Sequence, residues 1–386
     1  MATRWERYLE RWQAAGLIDD ATVERIRSHE AAQDKVLGLS WPVLVAISLG
    51  GLLLGAGVLL FVAAHWDSLA PADRFALVLA LVASFHLAGA LAGDRFAVLA
   101  TTLHAVGTIS LGAGIFLAGQ IFNLEEHWPS GVMLWALGGW VAWVLLRDWP
   151  QAALVALLTP MWLTGEWAEA TLRWSGGAQF LVQGMLLLAI TYLTGLLPDA
   201  QTPVRKVLMW IGGLALIPCT FLVILVGSPG FIGQVTPPLP ERYYLMGWMG
   251  ELVLPLALAW VLRRRAVWIN FIAAVWVIVL GTTGPRLNGA ASLAYSLWHE
   301  LGAYAMCALG AIGLIAWGLK EASKERINLG VAGFALTVFV FYFSNVMDKL
   351  GRSASLIGLG VLFLLGGWAL EKVRRRLVAR LEPSEA

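Results

Sequence analysis

The sequence predicts an all-α protein, a polytopic bundle of about 12 transmembrane helices. Three observations predict it. The 386 residues are 59% hydrophobic and 13% charged, apolar segments follow one another with short polar breaks, and basic residues crowd alternate breaks. Only helices and closed barrels can cross a bilayer, because every backbone polar group must find a partner within the protein. Continuous apolar runs, as opposed to alternating ones, are typical of helices.

Most of the apolar segments hold the ~17–25 residues that cross a ~30 Å hydrocarbon core as a helix. The predicted spans are 41–64, 74–92, 97–120, 131–146, 151–166, 178–197, 207–227, 243–262, 266–283, 299–319, 327–345 and 353–370. The spans 131–146 and 151–166 are short, so a re-entrant or tilted course stays open for both.

The lysine and arginine residues predict the orientation. With the N-terminus in the cytoplasm, 21 of the 27 basic residues fall on inner segments and 6 on outer ones. The outer six are Arg74, Arg173, Arg242, Arg286, Lys349 and Arg352. The positive-inside rule therefore predicts that both termini are cytoplasmic. A bacterial inner membrane is the natural host for such a multi-pass chain. Because topology explains the basic residues, the net charge of +2 does not indicate nucleic acid as a partner.

The chain is expected to have three parts: a cytoplasmic helical hairpin over 1–38, a transmembrane bundle over 39–371 and a basic cytoplasmic tail over 372–386. A cleavable signal peptide is not expected, because the first 40 residues are too polar.

The N-terminal hairpin consists of two predicted helices. The first covers 3–15 and places Trp5, Leu9 and Trp12 on one face, and the second runs from Asp20 to about Lys35. The hairpin can lie on the membrane surface, pack beneath the bundle or dock a protein partner through the face with the two tryptophans.

Spans 1 and 3 share a pattern with a constant offset of 62 residues. Ile47-Ser48-Leu49-Gly50 and His65-Trp66 match Ile109-Ser110-Leu111-Gly112 and His127-Trp128. A duplicated helical hairpin is therefore suspected in 41–146. No inverted repeat of the kind found in many secondary transporters accompanies it.

Glu251, His86 and His104 fall well inside predicted spans, where a charge costs at least ~2.5–3.5 kcal/mol. Glu251 lies about eight residues into span 8, with Pro255 one turn later. It is either a protonatable carboxylate on a transport path, an acceptor for substrate hydroxyls, or a protonated packing residue. His86 and His104 fall at similar depth in spans 2 and 3, so their imidazoles can meet, in a structural role or on a proton or substrate path.

Polar residues also gather at the predicted outer rim. Histidines with nearby carboxylates can bind a divalent metal ion, yet no pair of them has the i, i+4 spacing of helical ligands, and a hydrated surface is the alternative. The possible metal ligands are His65, His127 and His299, and the further substrate-path residues are Gln120, Asn123, Glu125 and Asp348. His127-Trp128-Pro129 is expected to end span 3 and fix the following turn. No cofactor is expected, because no phosphate-binding loop, nucleotide fingerprint, nucleophile elbow or zinc spacing occurs.

The block 120–131, which reads QIFNLEEHWPSG, is followed by Leu134-Trp135-Ala136-Leu137. It resembles bacterial integral membrane proteins with "domain of unknown function 2157". The hairpin ahead of the first span is similar too, as are Asn328-Leu329-Gly330, Tyr342-Phe343, 348–352 and 371–374. Glu125-Glu126-His127 departs from the Ser-Gly-Asp type of residues found there. The resemblance implies a polytopic bacterial membrane protein and carries no activity.

Three function classes follow for the sequence. The first is a permease-like protein or one that handles lipids or small molecules, which the size and number of spans favour by fold-level analogy. The second is a non-catalytic membrane subunit or scaffold of a larger complex. The third, a membrane enzyme with a histidine and carboxylate site on the outer face, is less favoured because no catalytic motif is found.

Overall fold

The structure is a computed structural model that describes residues 15–37, 70–93, 96–121, 127–171, 173–174, 176–197, 200–226, 237–283 and 293–345, together with isolated positions outside these ranges. Contacts between Cα atoms divide the chain into two compact units, Met1–Arg74 and Phe75–Ala386.

The regular elements of the described residues are helices. They are α1 (Asp20–Leu37), α2 (Pro71–Ala92), α3 (Ala97–Ile121), α4 (Trp128–Leu146), α5 (Trp149–Thr171), α6 (Gly177–Thr194), α7 (Pro203–Val226), α8 (Glu241–Arg263), α9 (Trp268–Thr282), α10 (Leu293–Lys320) and α11 (Lys324–Asn345). Within α8, Met249–Val253 form a π-helical turn.

The helical class is confirmed, and the span count only in part. Among the described residues, eight helices are long and apolar enough to cross a membrane, and α9 is a shorter apolar helix of 15 residues. The predicted spans 41–64 and 353–370 lie outside the described residues except for isolated positions. The twelve spans and the cytoplasmic termini therefore remain predictions, as do the three-part division of the chain and the duplicated hairpin, whose first copy lies mostly outside the described residues.

The helices α4 and α5 correct two expectations. They span 19 and 23 residues, so each is longer than the short span predicted there. The segment His127-Trp128-Pro129 begins α4, whereas the sequence predicted that it ends the preceding span. The reason is that proline, which lacks a backbone N–H, is well tolerated in the first turn of a helix, and His127 occupies the N-cap position with extended backbone.

The described part of the N-terminal unit contains α1, which begins at Asp20 as predicted. Its start is set by Asp19, whose carboxylate accepts a hydrogen bond from the backbone N–H of Thr22 at 3.2 Å. Hydrogen bonding with Thr22 also holds the pKa of Asp19 below its usual value. Most of the predicted helix 3–15 lies outside the described residues.

The core of the larger unit forms around α6. Leu186 and Leu187 of this helix are fully buried, and they pack in one cluster with Val223 of α7 and Val277 of α9. The helices α6 and α7 approach so closely that a Cβ at Gly212 would overlap backbone atoms of α6. Small residues allow such close packing between membrane helices, where dispersion contacts largely replace the hydrophobic effect.

Buried and partly buried polar side chains of α6 tie this helix to its neighbours. Gln183 Nε2 donates to the carbonyl oxygen of Val277 at 3.2 Å, and Gln179 Nε2 donates to that of Gly281 at 3.0 Å. On another side, the Tyr192 hydroxyl donates to the carbonyl oxygen of Ala156 in α5 at 2.9 Å. Each bond satisfies a side chain that would otherwise be costly to bury.

Candidate functional site

An apolar groove runs between α7, α9, α10 and α11, with a cavity volume of about 340 Å³. Its walls are mainly aliphatic and aromatic, and they include Phe221, Ile272, Trp276, Leu314, Trp317 and Leu336. Gly313 and Gly333 of the lining leave open space: a Cβ at Gly313 would meet nothing within 4 Å, and one at Gly333 would reach only Ala311, at 3.9 Å. We call this feature the apolar groove.

Three of the polar groups that line the apolar groove are bonded to the protein. The hydroxyl of Thr220 donates to the carbonyl oxygen of Leu216, and that of Thr337 donates to the carbonyl oxygen of Gly333, each at 2.8 Å. The indole N–H of Trp276 donates to the carbonyl oxygen of Met306 at 2.9 Å. These groups offer little hydrogen bonding to a ligand, so the groove favours an apolar one.

A cluster of charged side chains lies next to one end of the groove, where α6, α8 and α10 end and α7, α9 and α11 begin. We call this end of the unit the basic end. Glu321, in the turn between α10 and α11, pairs with the guanidinium groups of Arg263 and Arg326. Both arginine side chains are buried, and both stack over the ring of Trp317, a residue of the groove wall.

This Arg263–Glu321–Arg326 cluster also binds the C-terminal end of α6. Arg263 donates to the carbonyl oxygen of Thr194, and Arg326 donates to that of Leu196 at 2.8 Å. The Thr194 carbonyl stands at the last residue of α6 and has no partner within its own helix, and Leu196 follows two residues later. Because the helix dipole makes this end electronegative, the cations are placed where they stabilise it. The cluster therefore joins the ends of α6, α8 and α10 to the start of α11.

The cluster carries one more positive charge than negative charge. Burial raises the pKa of the Glu321 carboxyl, but hydrogen bonds from Arg263 and Arg326 and the charge of Arg326 outweigh it, so the pKa lies below its usual value. The Nε atoms of both arginines are buried and have no hydrogen-bond partner among the described residues. In the sequence, both arginines are explained by membrane topology alone. The cluster gives no local signal there, because Arg263 is 58 residues from Glu321.

Glu251 lies within the π-helical turn of α8. It is buried, and neither oxygen of its carboxyl group has a hydrogen-bond partner among the described residues. The backbones of α6 and α8 approach closely here, since a Cβ at Gly184 would lie 3.2 Å from the Cα of Glu251. Such π-turns are frequent at functional sites. The structure places Glu251 apart from the lining of the apolar groove.

The side chains of His86 in α2 and His104 in α3 meet, as their depths in the sequence allow. Their Nδ1 atoms are 3.1 Å apart, so one imidazole donates and the other accepts. Each ring rests on a glycine of the facing helix: a Cβ would lie 2.8 Å from the His86 ring at Gly107 and 2.9 Å from the His104 ring at Gly89. The two rings therefore share one hydrogen bond. In each helix a glycine follows the histidine three residues later, and each glycine makes space for the histidine ring of the other helix.

Asp148, in the turn between α4 and α5, lies near His104. Burial raises the pKa of its carboxyl, while a hydrogen bond from the backbone of Gln151 and the proximity of His104 lower it by less. A carboxyl group thus lies on the α4–α5 side of the histidine pair, and the pair stays apart from the apolar groove.

At the other end of α4 and α5, His127 Nε2 lies 2.7 Å from Glu166 Oε2. The neighbouring Trp128 donates its indole N–H to Glu169 at 2.7 Å and covers Gly165, whose added Cβ would lie 2.6 Å from the ring. These contacts fasten the start of α4 to the end of α5.

Most of the other predicted rim residues cannot be placed. His65, Asn123, Glu125 and Asp348 lie outside the described residues, and the side chains of Gln120 and His299 are not described. In the described part of the chain, no group of three or more metal-binding side chains occurs. The metal and substrate roles of these residues remain predictions.

Residues 10–152 match a family described as "Predicted membrane protein (DUF2157)". This match confirms the predicted resemblance over that range, which extends from the N-terminal hairpin into the start of α5. The apolar groove and the Arg263–Glu321–Arg326 cluster lie beyond it. No curated protein and no solved structure matches the chain.

Proposed function

We propose that this membrane protein binds a lipid or another apolar small molecule in the groove between α7, α9, α10 and α11. The observation that carries the proposal is the apolar groove itself, whose lining is mainly aliphatic and aromatic and whose two threonine hydroxyls are bonded to the protein. Its volume of about 340 Å³ falls in the range of ~300–1,000 Å³ typical of ligand sites.

The length of the groove fits a hydrocarbon chain. Its lining runs along α10 from Tyr304 to Trp317, which is about 20 Å of helix at 1.5 Å per residue. One leaflet of the hydrocarbon core is about 15 Å thick, so the groove accommodates the depth of a single acyl chain. A hydrophilic substrate would find too few free hydrogen-bonding groups there to replace its hydration.

The test is native mass spectrometry of the protein extracted in mild detergent. Gly313→Leu combined with Gly333→Leu fills the groove, and Gly360→Leu is the matched control, because Gly360 is exposed with nothing within 4 Å of its added Cβ. We expect a stoichiometric apolar ligand on the wild type and the control and its loss from the double variant. Equal retention by all three proteins would refute binding in this groove.

Movement of the bound molecule across the membrane is a second candidate function, favoured by Glu251. The Glu251 carboxyl group is buried, has no hydrogen-bond partner among the described residues and lies inside a π-helical turn. Such a costly arrangement in a membrane helix is typical of a functional residue, which supports a role for Glu251 in transport. Its test is quenching of fluorescent phospholipid in proteoliposomes by a reductant that does not permeate the membrane.

In that assay, a protein that moves lipid exposes both leaflets to the reductant. We expect Glu251→Gln to restrict quenching to the outer leaflet, and Glu241→Gln, at the exposed start of the same helix, to behave as the wild type. If quenching with the wild type were confined to the outer leaflet, the transport proposal would be refuted and the binding proposal would stand.

A further inference from the structure

We propose that the apolar groove selects an anionic phospholipid, with an acyl chain along α10 and the phosphate at Lys320. The inference rests on the proposed function, since it names the ligand class of the same groove. It follows from the groove lining, the position of one lysine and the charge balance of the basic end.

The groove lining extends to the basic end. The last wall residue of α10 is Trp317, and Lys320 follows one helical turn later. On the facing helix, Ile269 belongs to the wall, and Trp268 immediately precedes it. Lys320 Nζ lies 4.5 Å from the centre of the Trp268 ring, so a cation and an indole meet beside this end of the groove.

Lys320 has the position and chemistry of a headgroup contact. Its side chain is exposed, and an ammonium group binds a phosphate as a point charge at the end of a flexible stem. Indole rings favour the level of the lipid headgroups, which supports the same depth for Trp268. The lysine stem can therefore lie along the apolar wall while its charge meets the phosphate.

The surrounding charges favour an anion. The nearest carboxylate in the α10–α11 turn, Glu321, is held by two buried arginines, which leaves a surplus positive charge behind Trp317. Glu325, which is exposed, accepts a hydrogen bond from Ser323 at 3.1 Å. Arg264 adds another exposed cation in the segment between α8 and α9.

The experiment compares the lipids that the full-length protein retains. The protein is reconstituted in nanodiscs of equimolar phosphatidylglycerol and phosphatidylcholine and then released into mild detergent. Native mass spectrometry identifies the lipids that stay bound. The variants are Lys320→Gln, the groove-filling pair Gly313→Leu and Gly333→Leu, and Lys206→Gln. Lys206 is an exposed lysine at the same end that does not line the groove, which makes it the matched control.

We expect the wild type and Lys206→Gln to retain phosphatidylglycerol about fivefold over phosphatidylcholine, the preference that one basic residue near a membrane surface supplies. Lys320→Gln should lose most of this preference. An unchanged preference in Lys320→Gln, or equal retention of the two lipids by the wild type, would overturn the headgroup assignment. If the double variant that fills the groove then still lost lipid, lipid binding in the groove would stand as the proposed function. If the double variant retained as much of each lipid as the wild type, the proposed function and the headgroup assignment would both fail.

Discussion

Replacing Glu321 by glutamine tests the electrostatic reasoning about the basic end. The substitution keeps the size of the side chain and removes the countercharge of Arg263 and Arg326, which are both buried. Leaving buried charges without their partner costs about 3–5 kcal/mol in stability. Because glutamine still accepts one hydrogen bond, we expect a loss of about 3 kcal/mol.

The assay is thermal unfolding in detergent, followed by tryptophan fluorescence. A loss of that size corresponds to a fall in the apparent Tm of about 6 °C, at ~2 °C per kcal/mol for a large domain. The matched control is Glu325→Gln, four residues later, because Glu325 is exposed and accepts its hydrogen bond from Ser323. Its effect should stay within about 0.5 kcal/mol. Equal Tm values for Glu321→Gln and the wild type would refute the inference that this carboxylate stabilises the cluster.

The same pair of proteins gives a pH test. The folded-state pKa of Glu321 lies below its unfolded value, so its contribution to stability is present above the ordinary glutamate pKa. That contribution is lost as the pH falls through the lower, folded-state pKa. The difference in Tm between the wild type and Glu321→Gln should therefore be largest near neutral pH and shrink in acid; a difference that grows on acidification would contradict this sign.

Two further predictions concern helix packing. Gly212→Ala should lower the Tm strongly, because the added Cβ would overlap the carbonyl oxygen of Ala189. Gly250→Ala is the control: its Cβ would meet nothing within 4 Å, so the Tm should stay unchanged or rise. Similar Tm values for the two variants would contradict the close approach of α6 and α7. Gly107→Ala should cost about 1–3 kcal/mol by displacing the His86 ring, and the double variant with His86→Ala should cost less than the sum of the single changes. Additive losses in a double-mutant cycle of unfolding free energies would show that the ring and the glycine do not pack together.

The helix positions could be predicted because their signals are local. Ten of the predicted spans, from 74–92 to 327–345, coincide with described helices within a few residues at most boundaries. The start of α1 at Asp20 was also predictable, and its cause is the cap at Asp19. The contact between His86 and His104 followed from depth alone, since a tight turn joins their helices.

The partners of each helix could not be predicted from the sequence. In a soluble protein, an apolar stripe distinguishes the buried face of a helix from its exposed face. In a membrane, lipid tails are as apolar as a protein core, so exposed residues such as Leu214 and buried ones such as Leu186 give the same signal. The groove between α7, α9, α10 and α11 was therefore invisible in the sequence.

The sequence by itself determined that this is a helical membrane protein, where most of its helices lie, and which ionisable residues fall at membrane depth. These properties depend on the hydrophobicity of short continuous segments. Only the tertiary structure decided that Glu321 pairs with Arg263 and Arg326, that Glu251 has no partner among the described residues, and that an apolar groove opens beside Trp317. These features depend on which helix faces pack together, and the pair of Arg263 and Glu321 joins residues that are 58 positions apart in the chain.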